Sequence, residues 1–310
     1  MKIPVAAIVG PTASGKTALS IALAKKLDGE IISCDSMQIY KGMDIASAKP
    51  SESEKEGIPH HLMDFLSPYE SYSVADFVRD AKEKIFDVNE RGHFPLIVGG
   101  TGLYVNSLLD NVSFSKSKKD EDYRRELEIL AEKEGTEKVY DMLLKIDEPY
   151  ARTLHPNNLG RVIRALELYK TEGITMTEQL RESGKNPSPF NDVRIGIAFK
   201  DRQKLYDRIN SRVDKMMENG LLKEAVSFLE ENPSPTALQA IGIKELAPYI
   251  RGLSDLNSCV ESLKQATRNY AKRQITWFKK DEKIKWLYAD EMSFGAMTET
   301  ALNYIRESEI

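Results

Sequence analysis

Eight residues near the N-terminus, GPTASGKT from Gly10 to Thr17, carry the sharpest chemical signal in the chain. The spacing is GxxxxGK[ST], and it stands between an apolar run and an amphipathic one, as a strand–loop–helix phosphate site requires. Gly10, Pro11, Thr12, Ala13, Ser14 and Gly15 form a loop whose backbone N–H groups can curl around phosphate oxygens. The start of the following helix adds partial positive charge. Lys16 sets a point charge against the phosphate, and the Thr17 hydroxyl can ligate Mg²⁺. The loop specifies a phosphate group but not which compound carries it.

A second candidate is SCDSMQIYKGMDIASAKP, which follows the short apolar stretch Glu30–Cys34. The carboxyl ends of strands in a doubly wound sheet line the ligand crevice, so Asp35 falls beside the phosphate loop. A carboxylate there can take a proton from an attacking nucleophile, or it can simply cap a turn or bind Mg²⁺ indirectly. Ser36 and Gln38 are residue types that hydrogen-bond a base edge. A third candidate is GGTGLY, Gly99–Tyr104, where glycines permit close backbone approach and Thr101 offers a hydroxyl. A plain strand-to-helix turn has a similar pattern. No acid ends the strand before it, as P-loop ATPases usually have. Asp35 and Asp64 are the acids that could stand in.

The elements needed to position these groups are legible. Pro4–Val9 predicts a first strand, Ala18–Leu27 a helix, Glu30–Cys34 a strand, Ile58–Phe65 a third strand, Val74–Arg91 a helix and Pro95–Val98 a strand. Strands alternating with helices predict an α/β fold: a P-loop NTPase-like parallel sheet core. From Ser115 the texture turns polar and helical, and strand texture returns only at Arg194–Phe199. The reading is a core of residues 1–114 and 194–310 with a helical domain, 115–193, inserted. A late strand is expected at Lys283–Tyr288.

The chain has 310 residues and a formal net charge of −4, so any surface for nucleic acid must be local. Two cysteines, Cys34 and Cys259, lie far apart, which argues against disulfides and zinc and fits the cytoplasm. Ile3–Val9 is too short to cross a membrane and runs into the glycine-rich loop, so it reads as a strand rather than a signal peptide. His60 and His61, adjacent in a strand, point opposite ways and make no metal face. Between Lys264 and Lys285, basic residues alternate with Tyr270, Trp277, Phe278 and Trp286. That pattern suits a phosphate backbone and stacked bases, and equally an ordinary amphipathic helix. Arg161 and Arg164 share a helical face.

The blocks GPTASGKT, SCDSMQIY, DIASAKP, IPHHLMDF, YSVADF and VGGTGLY, followed by NNLGRVIRALE, LYDRINSRVDKM, QAIGIKE and QATRNYAKRQITWF, resemble the tRNA dimethylallyltransferases in order over nearly the whole chain. The resemblance implies that the phosphate is the diphosphate of dimethylallyl diphosphate and that it is a leaving group. The prenyl unit goes to the exocyclic amine of the adenosine 3′ of the anticodon, flipped into a channel. It further implies Asp35 as base, Thr101 orienting the amine and Arg208 holding diphosphate, with Arg212 a weaker candidate. It places tRNA against Asp35, Ser36, Met37, Gln38, Thr101 and Arg273, and the anticodon stem against Leu159, Gly160, Arg161, Val162, Ile163 and Arg164. Mg²⁺ is the implied cofactor, and a monomer is expected.

Three other readings compete. A P-loop kinase of a small metabolite accounts for the loop and Asp35 but not for the insertion or the basic aromatic stretch. A nucleotide-dependent RNA-binding protein leaves Asp35 and Thr101 without a role. A prenyltransferase of free AMP or ADP has no use for the insertion.

Overall fold

A strand covered on both faces by helices needs an apolar side chain at every position, and β1 (Ile3–Val9) has one at each of Val5–Val9, all fully buried. The computed structural model describes residues 2–114 and 119–308. After β1 come α1 (Lys16–Leu27), β2 (Gly29–Ser33), the one-turn α2 (Glu52–Lys55), β3 (His60–His61), α3 (Val74–Glu90), β4 (Phe94–Gly99) and α4 (Gly102–Leu109). Five helices follow: α5 (Glu121–Glu134), α6 (Thr136–Ile146), α7 (Glu148–Ala151), α8 (Leu159–Glu172) and α9 (Met176–Ser183). The chain then forms β5 (Phe190–Ala198), α10 (Arg202–Glu218), α11 (Leu221–Glu230), α12 (Ile243–Ile250), α13 (Leu256–Phe278), β6 (Ile284–Tyr288) and α14 (Phe294–Glu307).

The six strands pair in parallel in the order β3-β2-β4-β1-β5-β6. β1 is central, with Ala6 beside Leu96 of β4 and Val193 of β5. Leu19, Leu23 and Ala24 of α1 pack with Ala301, Leu302 and Ile305 of α14 on one face of the sheet. Phe77, Ala81 and Ile85 give α3 a buried stripe, and Phe77 stacks on Tyr104 of α4 at 4.2 Å. Among the described residues no helix is long and apolar enough to cross a membrane.

Several boundaries differ from the sequence expectation. The third strand shrinks to His60–His61, because Leu62 and Asp64 adopt left-handed backbone, which ends a strand. β5 begins at Phe190 rather than Arg194. Its polar Asn191 and Asp192 concealed it, yet they pair with Pro4 and Val5. α1 begins at Lys16, with Gly15 in left-handed backbone before it. His61 meets Glu30 at 2.6 Å and His60 meets the Ile58 carbonyl, so both histidines serve the sheet edge.

The chain divides into two compact units, Met1–Leu109 with Pro189–Ile310, and Asp110–Ser188. The expected start at Ser115 lies outside the described residues. In the helical unit α5, α6 and α8 enclose Leu127, Val139, Leu143, Val162 and Leu166. Fully buried Glu167 takes two hydrogen bonds from Arg124, at 2.6 and 2.7 Å, one from Arg164 at 2.6 Å and one from the Asp120 N–H at 2.9 Å. Burial pushes this carboxyl up, but those donors outweigh it and hold it at about 2. The ends of the unit are pinned together: Asn111 donates to the Pro187 carbonyl at 3.0 Å, and the Ser113 N–H to Ser183 Oγ at 3.2 Å.

Candidate active site

The phosphate loop turns sharply because three of its residues take positive φ: Gly10 at 145°, Ala13 at 61° and Gly15 at 98°. Gly10 has no alternative, since a Cβ there would lie 2.5 Å from the Ile197 carbonyl. Lys16 bends back over the loop and donates to the carbonyls of Gly10 and Pro11, at 3.0 and 2.7 Å. Burial lowers its pKa to about 8, with Arg212 adding to that effect and Asp35 opposing it. An ammonium held this way has lost water and gained only neutral partners, so an arriving anion is its natural counter-charge. Ser14 Oγ, buried in the same turn, has no hydrogen-bond partner among the described residues.

Asp35 stands at the carboxyl end of β2 and accepts the Met37 N–H at 2.9 Å. The segment that carries it is held from below by the C-terminal helices. Ile39, Tyr40 and Met43 share one core with Val213, Leu221 and Phe228. Glu224 of α11 accepts the N–H groups of Asp44, Ile45 and Ala46 at 2.9, 2.7 and 2.8 Å. Thr101 follows β4 on the same sheet edge. Its Oγ1 accepts the Ser36 N–H at 3.1 Å, so Thr101 and the Asp35 segment are directly joined. Gly99 packs so close to Cys34 that a Cβ would lie 2.1 Å from the Cys34 carbonyl oxygen.

A cavity of about 260 Å³ lies among these segments; Asp35, Ser36 and Gly99 line it and Thr101 does not. Thr12, Lys16 and Thr17 line one part, Asp35 and Ser36 another, and Val213, Met216, Ile241 and Leu263 supply apolar wall. Such a cavity can take a molecule with an anionic end and a short apolar body, and bring it to a carboxylate. Among the described residues Asp35 is the one carboxylate lining the cavity, Thr17 offers a hydroxyl at the loop, and no three metal-binding side chains cluster. That donor set fits a Mg²⁺ held mostly by substrate phosphate oxygens and water.

The structure distributes the sequence-predicted residues unevenly. Met37 and Gln38 line the cavity, but the Gln38 amide is engaged by Ser33 and by the carbonyls of Ser47 and Ala48, which leaves little of it for a base edge. Asp64 does not reach the cavity and pairs with Lys49 at 2.6 Å. Arg208 is exposed and donates to the Ala13 carbonyl at 2.9 Å, so it braces the loop from outside. Arg212, ranked below it from sequence, lines the cavity and reaches Thr12 Oγ1 at 3.4 Å. On α8 the expected tRNA face is corrected. Val162 and Ile163 are buried in the core of the helical unit, Leu159 packs against it, and Arg164 is committed to Glu167. Gly160 and Arg161 remain exposed.

Sequence reasoning missed Gln274 and the role of Tyr270. Buried Gln274 accepts the Thr12 N–H and donates to the Gly100 carbonyl, while Tyr270 lies close to Thr101, Gln274 and Asp35. Burial, with Asp35 nearby, pushes the Tyr270 hydroxyl well up. Arg273 lies against the Tyr270 ring at 5.5 Å and also lines the cavity. The missed signal was a stripe on α13: Leu263, Thr267, Tyr270 and Gln274 recur every three or four residues, so polar groups occupy positions a core helix would fill with apolar ones.

A phosphate loop after the central strand, facing a carboxylate and a hydroxyl at the carboxyl edge of a parallel sheet, defines a transferase built on the P-loop NTPase-like α/β fold. The chain belongs to the IPP transferase family. The model described as IPP transferase matches residues 38–281, and one described as isopentenyl transferase matches residues 3–64. A relative from Halalkalibacterium halodurans named tRNA dimethylallyltransferase is 46% identical over 306 residues, covering 98% of this chain and 97% of its own. One of the same name from Bacillus subtilis is 49% identical, covering 92% of this chain and 90% of its own. The crystal structure of tRNA isopentenylpyrophosphate transferase from Bacillus halodurans superposes with a TM-score of 0.73 at 43% identity, over 99% of this chain and 98% of that one. A eukaryotic dimethylallyltransferase acting on tRNA superposes with a TM-score of 0.83 at 33% identity, over 96% of this chain and 77% of that one.

Proposed function

We propose that this protein transfers the dimethylallyl group of dimethylallyl diphosphate to the exocyclic amine of the adenosine 3′ of the anticodon in tRNA. The carbon–nitrogen bond forms as the carbon–oxygen bond to diphosphate breaks, and the amine proton passes to the Asp35 carboxylate. The observation that carries this reading is that Lys16 and Asp35 line one cavity to which Val213, Met216, Ile241 and Leu263 add an apolar patch. Charge develops on the departing diphosphate, and fixed donors aimed at it lower the barrier. Lys16 and Arg212 supply positive charge there, and Arg208 keeps the Ala13 turn in place. Thr17 would hold a Mg²⁺, which when bound neutralises diphosphate charge. Thr101, which accepts the Ser36 N–H, orients the amine. The apolar patch of Val213, Met216, Ile241 and Leu263 suits a short prenyl chain and favours that reading over a small-molecule kinase.

The test is incubation of the protein and Mg²⁺ with unmodified tRNA and either dimethylallyl diphosphate or ATP, followed by mass spectrometry of the digested nucleosides. One dimethylallyl group gained on that adenosine, and lost with Asp35→Ala, is the expected result. ADP formed from ATP with a small acceptor, and no prenyl gain, would make the loop a kinase's. A 2-aminopurine at that position should brighten on binding, because a flipped base leaves its stack.

A further inference from the structure

A second cavity, about 300 Å³, opens at the carboxyl ends of β5 and β6 and shares no lining residue with the first. Lys200, Arg202, Lys272 and Lys279 converge on it from β5, α10 and α13, and no acidic residue lines it. None of these four pairs with a carboxylate among the described residues, and Lys200 lies over the Tyr288 ring at 4.2 Å. In a chain whose net charge is −4, such a local excess of uncompensated cations is a site for an anion. Four aromatic residues also line it: Phe199, Tyr206, Trp286 and Tyr288. Gly196 makes room for Trp286, since a Cβ there would stand 2.6 Å from the indole ring. Leu205 and Ile275 complete an apolar floor.

Cations and flat rings together select a ligand that is both phosphorylated and planar. We propose that this cleft binds a nucleotide, with its phosphate among the four cations and its base against Trp286 and Tyr206. The nucleotide can be free or one residue of an RNA strand, and the chemistry of recognition is the same. The site does not depend on prenyl transfer.

Trp277→Phe leaves Trp286 as the sole tryptophan of a chain that has two. In the full-length protein carrying that change and Lys16→Ala, which weakens the phosphate loop, Trp286 fluorescence is followed during titration with AMP, with a short single-stranded RNA and with inorganic phosphate. Saturable quenching by nucleotide is expected, with Kd raised tenfold or more by the exposed pair Lys272→Glu and Lys279→Glu. Quenching by AMP shows that a free nucleotide suffices, and quenching by RNA alone assigns the ligand to a strand. No quenching by either, an unchanged Kd in the double variant, or phosphate binding as tightly as AMP would each overturn the proposal.

Discussion

Gln274 accepts the backbone N–H of Thr12 at 2.8 Å, across 262 positions of sequence, while its own amide nitrogen donates to Gly100 at 3.0 Å. One buried side chain on the longest helix thereby ties the phosphate loop to the loop that presents Thr101. The fit is tight on the Gly100 side, where a Cβ would lie 2.1 Å from the Gln274 nitrogen.

Gln274→Leu keeps volume but strips both hydrogen bonds, leaving a buried N–H and a carbonyl without partners. The expected cost is about 1–3 kcal/mol of stability. Gln274→Glu keeps the acceptor for Thr12 but sets a carboxylate oxygen against the Gly100 carbonyl, and should lose at least as much. Urea unfolding measures both, and midpoints equal to the parent's would show that the bridge holds nothing.

Asp35→Asn preserves shape and removes the proton acceptor. Prenyl transfer should fall by about 10²–10⁴ in kcat, the range a positioned base contributes. Binding of inorganic diphosphate at neutral pH should survive, since the loop is intact. Single-turnover kinetics and calorimetry separate the two effects. Loss of binding with the chemical rate preserved would take the base role away from Asp35.

Lys16 makes two opposite pH dependences. Its folded pKa is about 8, below the ordinary lysine value of 10.5, so between those values the unfolded chain binds more protons and the contribution to stability rises with pH. Diphosphate binding needs the charged ammonium and should weaken as pH climbs through 8. Because Asp35 raises the Lys16 pKa, Asp35→Asn should move that alkaline limb to lower pH. Lys16→Arg should abolish it, and an alkaline limb that persists in the arginine variant assigns it to another group.

Arg161 and Arg164 lie one turn apart on α8 and should answer differently. Arg161→Ala should weaken tRNA binding and lower the slope of log K against log salt by roughly one. Arg164→Ala takes a partner from buried Glu167 and should cost about 1–3 kcal/mol of stability. Glu167 is held at about 2 against an ordinary 4.5, so its contribution is full above 4.5 and is lost as pH falls toward 2. Filter binding across a salt series, with acid titration of unfolding, tests both halves.

Local rules carried much of this molecule. The phosphate loop is legible because a glycine spacing and a lysine at fixed offset leave few alternatives. β1 and β4 are legible because continuous apolar runs mark strands covered on both faces. Asp35 and Thr101 follow from strand ends. What stayed hidden depends on contacts between distant segments. The helical stripe that includes Gln274 does not reveal its partners at Thr12 and Gly100, and nothing local shows that Glu224 caps three N–H groups of the Asp44 turn. Arg164 is expected at the anticodon stem by resemblance, and nothing in residue type marks its pairing with buried Glu167. The strand expected over Ile58–Phe65 is only His60–His61, because left-handed backbone at Leu62 leaves no mark in residue type.

The central strand pairs on one side with β4 and on the other with β5, which the ribosome completes only after the whole of Asp110–Ser188. Left floppy, that stretch would make the β1–β5 closure a long-range search, slow in proportion to the entropy of the loop. The Asn111–Pro187 and Ser113–Ser183 bonds change the arithmetic: once the helices have assembled, the two strand-bearing segments leave the unit side by side. The insertion then acts as a splint for synthesis. Weakening its interior should delay the sheet's last pairing in refolding experiments, even where the finished enzyme is scarcely altered.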